Sequence, residues 1–186
     1  MNIRLLFLLI LTISCNENYY NEYAVVSATK EATNAGIKIL EQGGNAFDAM
    51  IAVDLALAVT YPNAGNLGGG GFMVYIDSSG QSGSLDFREK APKKSHSSMY
   101  LDENGEVITG LSYEGALSVG VPGTVAGLFE VYKKFGSISL DKIFEPAIYL
   151  AKNGYSLTKK QSKLYNDHKT KILELNDTSL FLKDFK

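Results

Sequence analysis

AFDAMIAVDLALAVTYPNAGNLGGGGFMVYIDSSGQSGSLDFREKAP, residues 46–92, changes its periodicity halfway along. Its first part, 46–60, is alanine-rich and apolar on nearly every side, which predicts a helix packed by neighbours all round. Asn45 offers an N-cap oxygen and Asp48, three residues on, complements the helix dipole. Pro62 stops the helix. Its 15 residues and two acids, Asp48 and Asp54, argue against a membrane span, which needs about 20 apolar residues. After the glycine-rich stretch 65–71 the pattern turns to period two. FMVYID (72–77), a turn at 78–80 and SLDFRE (84–89) predict a β-hairpin.

Working outward, SATKEATNAGIKILEQ (27–42) places apolar residues at Ala32, Ala35, Ile39 and Leu40, a helical spacing closed by Gly43 and Gly44. Downstream, ALSVGV (116–121) reads as a further buried strand. TVAGLFEVYKKF (124–135) reads as a helix entered through Pro122 and Gly123, with Lys133 and Lys134 in its last turn. LDKIFEPAIYLAKN (140–153) is a helix capped by Ser139, in which Pro146 is predicted to force a distortion. A Lys-rich amphipathic stretch, 158–174, follows. Helices and strands mix without regular strand–helix–strand units, so the fold class is α+β rather than a doubly wound nucleotide fold.

Composition narrows the function. The 186 residues suit one domain, and 45% hydrophobic with 20% charged residues excludes disorder. Eighteen basic residues against 20 acidic ones give a net charge of −2 without a basic cluster, which excludes a nucleic-acid surface. One cysteine with His96 and His168 cannot furnish a transition-metal site, so no metal is expected.

Residues 1–14, MNIRLLFLLILTIS, follow the order of an export signal: Arg4, an apolar run, then Ser14. Cys15 comes next, and LTISC resembles the lipobox of bacterial lipoproteins. Two readings stand: Cys15 is acylated and anchors the chain to lipid, or the signal is an ordinary one and the cysteine incidental. Both export the protein to the periplasm or cell envelope. The polar stretch 15–23 then serves as a tether, and 24–186 as the folded domain.

Two features invite chemistry. Gly68 to Gly71 could cradle an anion, but no lysine follows at the P-loop spacing and Met73 spoils the dinucleotide fingerprint. The alternative is backbone crowding where this loop passes the buried helix. In SLDFREKAP, strand alternation sends Leu85, Phe87 and Glu89 one way and Asp86 and Arg88 the other. A guanidinium at a strand end suits a two-pronged grip on a carboxylate. A structural ion pair of Arg88 with Asp86 is the competing reading. No nucleophile elbow and no triad spacing is present.

Taken in order, residues 27–77, LDFREKAP, GALSVGVPGTVAGLFEVYKKFG and LDKIFEPAIYLAKNGY resemble the amino-terminal region of γ-glutamyltranspeptidases, from about Ala24 to Tyr155. The resemblance implies an N-terminal-nucleophile hydrolase with an αββα sandwich, of which this chain would be the N-terminal portion only. It implies a precursor that cleaves itself into large and small subunits. A threonine opening the small subunit would transfer the γ-glutamyl group of glutathione or related compounds to water or amino acids, with no cofactor. Arg88 matches the arginine that binds the substrate α-carboxylate, and no other site residue is carried over. The chain stops at Lys186, before the threonine motif. The expectation is therefore inactivity alone, with the rest of the large subunit and the small subunit as partners. A cephalosporin acylase-like or poly-γ-glutamate-processing relative, or a non-catalytic envelope protein binding glutamate-like carboxylates, are the alternatives.

Overall fold

Side chains too small to keep two backbones apart bring the first pair of helices together. In the computed structural model, which describes residues 23–65 and 67–175, helix α1 (Lys30–Glu41) lies against α2 (Ala46–Thr60). Ala32, Ala35 and Ala56 are buried between them with Val53 and Leu57, and Gly36 meets Val53 and Val25 so closely that a Cβ there would stand 2.6 Å from the Val53 side chain. Helices α3 (Thr124–Phe135) and α4 (Leu140–Asn153) complete the packing around α2, and Ile39, Ile51, Ala52, Leu128, Val131 and Ile143 form the main core. The surrounded, apolar α2 predicted from the sequence is thus the central element. Helix α5 (Lys159–Leu175) follows, and no helix among the described residues is long and apolar enough to cross a membrane. The export signal and Cys15 lie outside the described residues.

Strands β1 (Phe72–Ile76) and β2 (Ser82–Asp86) pair antiparallel, with Phe72 opposite Asp86 and Met73 opposite Leu85. Alternation gives the sheet two unlike faces. Met73 and Leu85 pack on the helical core, while Phe72, Val74 and Ile76 are 66%, 84% and 73% exposed on the other face. The hairpin is pinned to the helices by aromatic rings: Phe47 stacks on Phe135 at 4.0 Å, and Tyr75 meets both edge-on. Lys134 donates to the Tyr75 hydroxyl at 2.8 Å.

One expectation fails. The 116–121 stretch is no buried strand: Ala116–Ser118 is a short 3₁₀ turn, Leu117, Val119 and Val121 are at least half exposed, and Val121 alone pairs, with Lys90. Gly115, at φ 81°, enters the segment by a left-handed turn, and Pro92, with no amide to donate, lies two residues beyond the Lys90 bridge. Pro146 lies inside α4, which runs without interruption over 14 residues. Its ring is buried, and the carbonyl deprived of a donor belongs to Lys142, an exposed residue whose backbone can turn to water.

The two acids of α2 have opposite situations. Asp48 is fully buried and fully satisfied: it accepts the Asn45 amide at 3.0 Å and both the amide and hydroxyl of Ser137, tying the start of α2 to the α3–α4 connection. Asn45 accepts from the amides of Phe47 and Asp48 and donates to the Phe135 carbonyl, so the predicted cap is also a tertiary clamp. Asp48→Ala is expected to lower unfolding stability by about 2 to 4 kcal/mol in urea titration, because it removes a cap and leaves Ser137 unpaired. Asp54, half-buried with no hydrogen-bond partner among the described residues, has its carboxyl held above the ordinary 3.8 by desolvation. The native state therefore binds its proton more tightly than the unfolded state. The penalty is full above the raised value and vanishes below 3.8. Asp54→Asn is expected to stabilise the protein at neutral pH, with the gain shrinking as pH falls toward 3.8 in parallel thermal melts.

Candidate functional site

The segment carrying Arg88 leaves β2 and is held by backbone on two sides. The Phe87 amide donates to the Gly71 carbonyl at 3.0 Å, and Lys90 exchanges both backbone bonds with Val121, at 3.1 and 2.8 Å. The Gly69 carbonyl accepts from the amides of Gly123 and Thr124, at 2.8 and 3.0 Å, which joins the glycine-rich loop to the start of α3. The loop and the helix start therefore close around residues 87–89.

This closure requires glycine. A Cβ on Gly70 would stand 2.7 Å from the Glu89 amide nitrogen and the Phe87 carbonyl oxygen, and 2.8 Å from the Arg88 Cα. One on Gly123 would overlap the same Phe87 carbonyl, and one on Gly127 would overlap the base of the Phe87 side chain. On the other side of that ring, Gly71 leaves room for its edge. The crowding expected of the glycine run is real, but its object is the segment after β2 that bears Arg88. For Gly65 alone the crowding is against the buried helix, at Leu57. Sequence reading missed this convergence, although the signal was present: three separated glycine positions flank one short motif.

With Phe87 turned inward, Arg88 is exposed and lines a cleft of about 620 Å³ together with Asp86, Glu89, Lys90 and Glu130. The register puts Asp86 opposite Phe72, on the outer sheet face, and alternation places Arg88 beyond the end of that face. The competing ion pair does not form. Asp86 Oδ1 accepts the backbone amide of Arg88 at 3.0 Å, and the guanidinium has no hydrogen-bond or salt-bridge partner among the described residues. An unneutralised, exposed guanidinium on a fixed backbone is equipped to take a carboxylate through two parallel hydrogen bonds.

No other group of side chains assembles a reaction centre among the described residues. His96 and His168 are exposed, and the first shares a hydrogen bond with Ser98 in a loop while the second contacts the carbonyl of Leu164 in its own helix. No three metal-ligating side chains cluster among the described residues.

A family model described as Gamma-glutamyltranspeptidase matches residues 32–185. The chain is 50% identical over 133 residues to a glutathione hydrolase proenzyme of a Pseudomonas species, a match covering 72% of this chain and 23% of that protein. It is 47% identical over 145 residues to the glutathione hydrolase proenzyme of Pseudomonas aeruginosa, covering 77% and 26%. Among solved structures it resembles the Helicobacter pylori gamma-glutamyltranspeptidase, with a TM-score of 0.80, 44% identity, and coverage of 83% of this chain and 44% of that one. The chain thus spans about a quarter of the length of the curated relatives it matches.

Gly123→Ala is expected to destabilise the fold by about 1 to 3 kcal/mol, because the Phe87 carbonyl must move to admit the methyl group. A urea midpoint unchanged from the parent protein would show that the Arg88 segment is not gripped there.

Proposed function

Because the chain belongs to the gamma-glutamyltranspeptidase family, we propose that it supplies the carboxylate-gripping arginine of a glutathione hydrolase and γ-glutamyltransferase. Its α+β architecture is part of the N-terminal-nucleophile sandwich of that family. The observation that carries the reading is the unpaired Arg88 guanidinium, exposed beside a cleft on a segment clamped by glycines.

In this reading Arg88 binds the α-carboxylate of the γ-glutamyl group and so sets which end of glutathione is attacked. The attacking threonine and the amides that stabilise the oxyanion come from the remaining length of the family's proteins. The threonine hydroxyl adds to the γ-amide carbon, its proton passing to the free α-amine. Collapse, with that proton passing from the α-ammonium to the leaving nitrogen, expels cysteinylglycine as a neutral amine and leaves an ester, which water or an amino acid then resolves. Arg88 takes no part in bond making: it holds charge that does not change, and its contribution falls on binding.

The test is Arg88→Leu in the enzyme completed by that remaining length. Affinity for γ-glutamyl substrates is expected to fall by about 2 to 4 kcal/mol with self-cleavage intact, and Arg88→Lys, which keeps charge without the fork, to fall between the two. Unchanged kinetics with normal self-cleavage would remove the assigned role.

Residues 1–14 we read as an export signal, which puts the site beyond the inner membrane, with Cys15 as the point of lipid attachment if the signal is of lipoprotein type. Mass spectrometry of the mature amino terminus decides: an acylated Cys15 establishes the anchor, and an unmodified start elsewhere leaves export alone.

A further inference from the structure

We infer that Asp86 is a positioning residue for Arg88, acting on its peptide amide and not on its side chain. The inference rests on the substrate-binding reading of Arg88. An acid two residues from an exposed arginine would ordinarily occupy the guanidinium. Here the carboxylate turns back along the chain and accepts the Arg88 N–H at 3.0 Å.

Strand alternation explains why that amide needs an acceptor. The Phe87 amide points to β1 and finds Gly71, while the Lys90 amide points to the opposite edge and finds Val121. The Arg88 amide faces the same edge as Lys90, where no backbone bond to it is made among the described residues. Asp86 Oδ1 stands in for the missing carbonyl. Three of the four amides from Phe87 to Lys90 are thereby fixed, and Gly70 packs against the Arg88 Cα.

The arrangement has a chemical consequence. A carboxylate bonded to the guanidinium would compete with the ligand for the same donors. Bonded to the amide, it immobilises the point from which the side chain swings and leaves the fork open. A side chain pre-set in this way loses less freedom on binding.

The test separates the two readings. In the completed enzyme, Asp86→Ala is expected to raise KM for the γ-glutamyl donor by about threefold to tenfold with kcat within about twofold, the loss of one hydrogen bond. Asp86→Asn keeps a side-chain oxygen able to accept the amide and is expected to restore KM to within about twofold of the parent value. An Asp86→Asn enzyme as impaired as Asp86→Ala would overturn the inference, since charge and not the amide bond would then matter. Amide hydrogen exchange at Arg88, read on the 186-residue chain without substrate, gives an independent measure. Faster exchange in Asp86→Ala supports the positioning role, and unchanged exchange overturns it. Faster exchange with KM unmoved in both Asp86→Ala and Arg88→Leu overturns the substrate role of Arg88 instead.

Discussion

Close backbone approach around Phe87 is the constraint from which the rest follows. The glycine-rich loop and the start of α3 can meet, through the Gly69 carbonyl, only because Gly70 and Gly123 present no side chain to the strand passing between them. That contact fixes where α3 begins and where β2 ends. It also turns Phe87 onto Gly127, so that its neighbour Arg88 must face out. The packing of small residues and the exposure of a cation are the same event seen from two sides.

The helical layer beneath depends on a second economy of size. Alanines and a glycine let α1 approach α2, and the aromatic trio of Phe47, Tyr75 and Phe135 locks the hairpin over the far end. Asp48 lies between these arrangements, completely enclosed, with every bond it needs supplied by Asn45 and Ser137. A buried charge so satisfied holds two connections in register.

Much of this was legible in the amino-acid order. The helix at 46–60, its Asn45 cap and the hairpin after the glycines follow from local periodicity and capping chemistry, which report on nearest neighbours. What local pattern cannot report is the partner. The alternation of 116–121 announces a surface able to pair, yet only Val121 pairs, through an isolated bridge to Lys90, and Pro146 is tolerated inside α4 with its ring buried. Likewise the spacing of Asp86 and Arg88 suggested an acid and a base in contact. Both were assigned to one face, but the hydrogen bond that forms is to main chain.

The outer face of the hairpin, where Phe72, Val74 and Ile76 meet water, has a consequence for energetics. A layer that covered these side chains would contribute its hydrophobic free energy only when bound, and the melting temperature of this chain would then rise with that layer's concentration or tethering.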